Sequence, residues 1–291
     1  MKLMLSVYRV LPLIIWGIFI ASPAVQADTG TLTEQIRSVE ADTGARIGVY
    51  VLDTSNGTNW QYHGQDRFPL MSTFKTLACA KLLHDADYEG LSLTESVVIK
   101  AHDLITWSPV MKKRVGQAVS LTEACAATML MSDNTAANIV LNAIQGPDAL
   151  TAFLRRTGDR VTRLDRVEPA LNEALPGDER DTTTPEAMVD NLKRLLLGDI
   201  LSDAARQQLT DWMKGNKVSD SLLRSVLPDG WAIADRSGAG GSGSRGITAV
   251  VWPADKAPLI ISIYMTETEV SFKERNAAIA AIGREIFKTW Q

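Results

Sequence analysis

Hydrophobic positions along the chain change period several times, and each change marks an element. Thr31-Leu32-Thr33-Glu34 has the form of a capping box, a hydroxyl followed three residues on by a carboxylate, and predicts a helix that Gly44 closes. Ile47, Val49 and Val51 fall at every second position, the period of a half-buried strand. Asn56-Gly57 is a hairpin-turn pair, and a second strand follows at 60–62. Asn56-Gly57-Thr58 also fits a glycosylation acceptor, a match common enough by chance that the turn reading is preferred. The middle of the chain is helical: 72–87, then a helix through Met131 led by a second capping box at Ser120-Leu121-Thr122-Glu123, then 134–143 and 147–156. Thr184-Pro185 starts another helix that Gly198 stops, and 202–214 is closed by Gly215. Between these helices, 157–181 carries Gly, Pro, Asn and many charges without a period. A loop of that length inside a compact domain is usually functional. Segments 231–236, 247–252 and 259–266 are rich in β-branched and aromatic residues, and Ser271-Phe272-Lys273-Glu274 caps a last helix running to about Trp290.

This order of helix, two strands, helical block, three strands and helix predicts an α+β fold. Five strands form one mostly antiparallel sheet, the terminal helices cover one of its faces, and the helical block forms a lobe beside it. The sheet lobe takes 28–64 and 216–291, and the helical lobe 65–215.

The N-terminus changes the picture of where the protein works. Lys2 and Arg9 precede an apolar run at 10–21, and Ala24-Val25-Gln26-Ala27 supplies a small-residue exit. This is the form of a secretory signal peptide cleaved after Ala27. The run is about half the ~20 residues that a membrane span needs. A mature chain of 28–291 in the periplasm is expected, free of the membrane and monomeric. The formal charge is −4 and becomes more negative when the leader's two cations leave. With no basic stripe, nucleic acid is not an expected partner. The two cysteines, Cys79 and Cys125, would meet an oxidising compartment, where one disulfide or two buried thiols fit equally well with their spacing.

Candidate chemistry does not centre on histidine. His63, His84 and His102 show no metal-ligand spacing, no G-x-S-x-G elbow occurs, and neither a metal nor a cofactor is expected. Ser72-Thr73-Phe74-Lys75 instead puts a hydroxyl and an amine one helical turn apart on one face. A lysine desolvated beside another cation can accept the serine proton. Ser132-Asp133-Asn134 occupies a break between helices, where Ser132 can relay protons and Asn134 can offer an amide. Arg236-Ser237-Gly238 ends a predicted strand. Two G-x-G-x-x-G matches follow, at 238–243 and 241–246, but the next element is a strand and not the helix a dinucleotide site requires. Those glycines more simply let backbone approach a substrate.

S-x-x-K, S-D-N and a late basic-hydroxyl-glycine triplet, taken in order, resemble the motif set of the class A serine β-lactamases over essentially the whole mature chain. The resemblance implies the two-lobed serine β-lactamase/penicillin-binding fold, with the active site between the lobes. Glu168-Pro169-Ala170-Leu171-Asn172 matches the family's E-x-x-L-N Ω-loop signature. It implies that Glu168 and Asn172 hold the water that frees the acyl-enzyme, which penicillin-binding proteins lack. By the same resemblance Ser72 is the nucleophile, Lys75 and Glu168 share base duty, and Ser132 passes the proton to the leaving nitrogen. Asn134 meets the substrate, and the backbone N–H groups of Ser72 and Ala239 form the oxyanion hole. Arg236, Ser237, Gly238 and Arg245 line the grip on the substrate carboxylate, and Trp107 lines the entrance. Arg166 and Asp181 clamp the Ω-loop, and Cys79–Cys125 matches the family's common disulfide. Lysine is usual where this chain has Arg236; the run 235–241 resembles the carbenicillin-hydrolysing subgroup. The function so implied is hydrolysis of β-lactam antibiotics, carboxypenicillins included, with β-lactams and β-lactamase inhibitors as the small-molecule partners. The alternatives are a D,D-peptidase, against which Glu168 argues, and a penicillin-sensing module, which would need a membrane tether.

Overall fold

The structure is a computed structural model that describes residues 29–291, so the leader read at 1–27 lies outside the described residues. Helix α1 (Gly30–Thr43) leads, and Gly44 ends it in the left-handed region at φ 64°, where its N–H bonds Glu40 O. The capping box expected at Thr31 does not form. The helix begins one residue earlier, and Thr33 Oγ1 donates back to Thr29 O at 3.1 Å. A hairpin follows, β1 (Arg46–Asp53) and β2 (Asn59–Tyr62), with Gly57 at φ 74° in its turn.

β1 differs from the expected half-buried strand, because six of its eight residues are buried, on both faces. Ile47, Val49 and Val51 pack into one apolar cluster with residues of the terminal helices, while Tyr50 and Leu52 join a second cluster shared with the helical block. A strand covered by helices on both sides needs no polar face.

The helical block begins after β3 (Phe68–Pro69), with a tight 3₁₀ turn, Met71–Thr73, that runs into α2 (Phe74–Tyr88). The short pair β4 (Ser96–Val98) and β5 (Ala118–Ser120) precedes α3 (Leu121–Met131), whose Ser120/Glu123 capping box forms as predicted. Then come α4 (Asn134–Ala143), α5 (Gly146–Arg156), β6 (Thr182–Thr183, paired with β3), α6 (Pro185–Leu196) and α7 (Asp203–Lys214). Neither short pair has the length or alternation to be legible in sequence. The chain closes with β7 (Ala232–Ala239), β8 (Arg245–Trp252), β9 (Leu259–Thr266) and α8 (Phe272–Thr289), the last opened by the predicted Ser271/Glu274 box.

The five long strands form one sheet in the order β2-β1-β9-β8-β7, antiparallel at every pairing. α1 and α8 cover one face, and the helical block sits on the other, with α6 packed against β1 and β9. β7 is an edge strand. It runs three residues beyond its predicted end, so Arg236-Ser237-Gly238 lies within the strand and not after it. β8 pairs with this extension through Gly238↔Gly246 and Ala239↔Arg245, and β7 lies beside the Met71–Thr73 turn.

Cys79 on α2 and Cys125 on α3 form the disulfide, with Cα atoms 5.8 Å apart. It closes a loop of 46 residues, for which the chain-entropy model gives up to about 4 kcal/mol. Replacing both cysteines by alanine is expected to lower stability by up to about that much, read as a lower guanidinium midpoint. An unchanged midpoint would remove the disulfide from the stabilising interactions of this lobe.

Candidate active site

Ser72 sits at the centre of the 3₁₀ turn at the start of α2, where the helical block meets β7. The turn is held from both ends. Leu70 N–H donates to Asp181 O at 2.8 Å and Thr73 N–H to Leu70 O at 3.1 Å. Met71 lies at φ 48°, a conformation that costs a non-glycine residue free energy and that the surrounding packing must impose. Gly238 allows β7 to approach. A Cβ there would lie 2.7 Å from both Met71 Cβ and Ser72 N.

Lys75 follows one turn later and is wholly buried. Its Nζ donates to Ser72 Oγ at 2.9 Å, Ser132 O at 2.9 Å, Ser132 Oγ at 3.2 Å and Asn134 Oδ1 at 2.6 Å, and lies 3.1 Å from Glu168 Oε1. Burial pushes the ammonium down to about 8. Glu168 opposes that shift, and Arg236 adds to it. Ser132 reaches the cluster because it ends α3 in the left-handed region at φ 57°, and its Oγ is 3.1 Å from Ser72 Oγ. Asp133 then caps α4, accepting from Ala136 N–H, while its other oxygen ties down the N–H groups of Val110 and Met111. Asn134 uses one amide hydrogen on Thr106 O and its oxygen on Lys75, so it braces the lysine as well as facing the cavity.

Glu168 comes from the long loop between α5 and β6. Its side chain is buried, and Asn172 Nδ2 donates to its Oε2 at 2.5 Å. Asn138 on α4 clasps the backbone of Glu168 from both sides: Glu168 N–H donates to Asn138 Oδ1 at 3.0 Å, and Asn138 Nδ2 to Glu168 O at 2.9 Å. The loop's base is closed by Arg166 Nε donating to Asp181 Oδ2 at 2.6 Å, while Asp181 Oδ1 accepts from the N–H groups of Asp165 and Arg166.

A cavity of about 460 Å³ opens over Ser72, lined also by Ser132, Asn134, Asn172, Ser237, Gly238, Ala239, Arg245 and the exposed Trp107. Arg236 forms its floor. The guanidinium is wholly buried, donating from Nε to Ser72 O at 3.2 Å and from Nη1 to Met129 O at 3.0 Å, while Nη2 has no hydrogen-bond partner among the described residues. Burial lowers it to about 10, against the opposing carboxylates of Asp235 and Glu168, so it stays cationic at neutral pH. Arg245 is fixed by Asn276 Oδ1 at 2.8 Å and Gly238 O at 2.9 Å.

Sequence reasoning missed Val218 and Phe272, which complete the lining, and Asn138. Asn138 carried a faint signal as a second asparagine one turn after Asn134. Val218 and Phe272 carried none, because one follows a helix stop and the other sits behind a cap. The three histidines lie away from this cavity. His84 groups with Asp85 on α2 and with Glu89 just past its end, where Lys81 and Arg156 already face the two carboxylates.

Residues 31–290 match the family described as the β-lactamase enzyme family. The chain belongs to that family. It is 56% identical over 257 residues to β-lactamase CARB-3 of Pseudomonas aeruginosa, covering 88% of this chain and 89% of the relative, and 49% identical to β-lactamase AER-1 of Aeromonas hydrophila, covering 91% and 88%. The solved chromosome-encoded β-lactamase of Vibrio parahaemolyticus superposes with a TM-score of 0.88 at 55% identity, over 89% of this chain and 99% of that one. An ancestral class A β-lactamase superposes at 0.86 with 49% identity, over 88% and 99%. These matches bear out the resemblance to class A and to its carbenicillin-hydrolysing subgroup, and with it a serine β-lactamase activity that proceeds through an acyl-enzyme.

In this β-lactamase the contact at Gly238 gives a direct test. Gly238→Ala forces apart two backbones that no side-chain rotation can relieve, so kcat/KM for benzylpenicillin is expected to fall at least about tenfold. A variant with wild-type kcat/KM would mean that β7 and the nucleophile turn are free to separate.

Proposed function

We propose that this chain is a secreted, monomeric penicillinase that hydrolyses penicillins, carboxypenicillins among them, through an acyl-enzyme on Ser72, and so confers β-lactam resistance. The observation that carries this reading is the buried Glu168 carboxylate 3.1 Å from Lys75 Nζ, directly behind the serine. In acylation Ser72 Oγ attacks the lactam carbonyl, and its proton passes into the Lys75/Glu168 pair. The backbone N–H groups of Ser72 and Ala239 stabilise the oxyanion. Ser132 hands a proton to the departing lactam nitrogen. In deacylation Glu168, oriented by Asn172, takes a proton from a water that attacks the ester. Arg236, Ser237 and Arg245 hold the substrate carboxylate by charge-assisted bonds, and Trp107 flanks the entrance. Export follows from the leader at 1–27, and no helix among the described residues is long and apolar enough to cross a membrane.

The roles of serine and glutamate separate experimentally. Ser72→Ala is expected to yield no adduct with benzylpenicillin by mass spectrometry, whereas Glu168→Ala accumulates one. A Glu168→Ala enzyme that turns over slowly without a trapped adduct would sink the assignment of deacylation to Glu168. Sustained acylation of the wild-type enzyme without turnover would favour the D,D-peptidase reading.

Lys75, lowered to about 8, holds its proton below that pH and releases it above. If neutral Lys75 is the acceptor, the acylation rate rises with pH, is half-maximal near 8 and levels above it. The Glu168 carboxylate raises the lysine's pKa, so Glu168→Gln should move the inflection to lower pH. An inflection that stays put or moves up, in stopped-flow acylation, removes Lys75 from that role.

Arg236 is no neutral substitute for lysine, since its planar fork can meet two oxygens at once. Arg236→Lys is expected to lower the ratio of carbenicillin to ampicillin turnover. An unchanged ratio would show that the guanidinium does not serve the second carboxylate.

A further inference from the structure

The sheet contains a tyrosine whose placement the chemistry above does not use. Tyr264 lies in the middle of β9 and is completely buried. Both of its cross-strand neighbours are glycines, Gly48 on β1 and Gly246 on β8. Glycine inside a strand is unfavourable unless something must come close; at Gly246 that something is the Tyr264 ring, and at Gly48 it is the ring of Phe68. A Cβ on Gly246 would lie 2.6 Å from Tyr264 Cδ1. Phe68 stacks over the ring from β3, with centroids 6.0 Å apart. So seated, the phenol reaches out of the sheet to the nucleophile turn, where its Oη lies 2.8 Å from Thr73 Oγ1.

The direction of that bond follows from proton counting. Thr73 has one hydroxyl hydrogen, and it goes to Leu70 O at 2.5 Å. Tyr264 must therefore donate to Thr73. Burial raises the phenol above its ordinary value, so it remains a donor throughout the working range. Leu70 and Thr73 bracket Met71 and Ser72, and Met71 is the residue held at φ 48°. A side-chain bond across the ends of a strained turn opposes its relaxation.

We propose that Tyr264 and Thr73 form a positioning relay that holds the Leu70–Thr73 turn, and with it the N–H and Oγ of Ser72, in register with β7. This rests on the reading of Ser72 as nucleophile. Neither residue touches substrate; both act through the turn.

The test is a double-mutant cycle of Tyr264→Phe and Thr73→Val, each of which keeps the side chain's bulk, with Thr73→Ser as the conservative rescue. The readouts are the second-order acylation rate with a chromogenic cephalosporin, the mass of the adduct on Ser72, and the melting temperature. Ile260→Val, on the same strand and in the same core, supplies a variant that lowers stability without reaching the turn. Each of the two deletions is expected to slow acylation about tenfold, the size of one lost orienting hydrogen bond. The double variant should be no slower than either single one, and Thr73→Ser should retain the wild-type rate. Loss of rate no greater than in Ile260→Val at a matched melting temperature, or fully additive losses, overturns the relay while leaving Ser72 as nucleophile. An absence of any adduct on Ser72 in the wild-type enzyme overturns both.

Discussion

A wholly buried ammonium, that of Lys75, sits where the helical block meets the sheet, and the neighbourhood is organised around keeping it there. Removing a charge of that size from water costs several kcal/mol unless partners replace the lost hydration. The partners come from three parts of the chain: Ser72 from the turn before α2, Ser132 and Asn134 from the α3–α4 break, and Glu168 from the long loop. Each of those segments is itself shaped by local rules, a left-handed residue at Ser132 and an Asp133 cap among them. Because Ser72, Ser132 and Glu168 are also participants in the proposed chemistry, the cost of burying the lysine and the poising of Ser72 are one physical problem.

A second cation, Arg236, sets the limits of that arrangement. It is as buried as Lys75, yet within the protein its hydrogen bonds go to neutral carbonyls, Ser72 O and Met129 O. Its charge disfavours the protonated lysine, while Glu168 favours it, so the lysine's proton is held by opposing fields and not by a single partner. The same guanidinium ties the nucleophile turn to α3 and forms the floor of the cavity, which makes the substrate pocket and the proton machinery share a wall. Any change at this position therefore alters the cavity wall and the field on the Lys75 proton together.

The sheet contributes through close approach. Gly238 lets β7 come against Ser72, Gly246 makes room for the Tyr264 ring, and Gly48 makes room for Phe68, which stacks on that ring. The long loop contributes through its clasp on Asn138 and its closed base at Arg166 and Asp181, which bring a charged, otherwise solvent-seeking segment under the cleft.

What sequence alone determined here was local and short-ranged. The capping boxes at Ser120 and Ser271, the Asn56-Gly57 turn, the strand composition of 259–266 and the one-turn spacing of Ser72 and Lys75 all depend on residues within a few positions of one another, and they appear as read. The ordered set of S-x-x-K, S-D-N, E-x-x-L-N and R-S-G identified the family, because so many short patterns rarely coincide. Tertiary structure decided what depends on distant chain. It buried β1 on both faces because helices from opposite ends of the sequence cover one face and the helical block covers the other. It extended β7 through Ala239 because β8 pairs with it, and it moved the helix start away from Thr31. It also recruited Val218, Phe272 and Tyr264, whose neighbours in sequence give no hint of their task, and Asn138, whose spacing from Asn134 gave only a faint one. The reason is common to all four: a side chain's role at the cleft depends on what lies across from it, and that is fixed only once the sheet and the helical block have closed together.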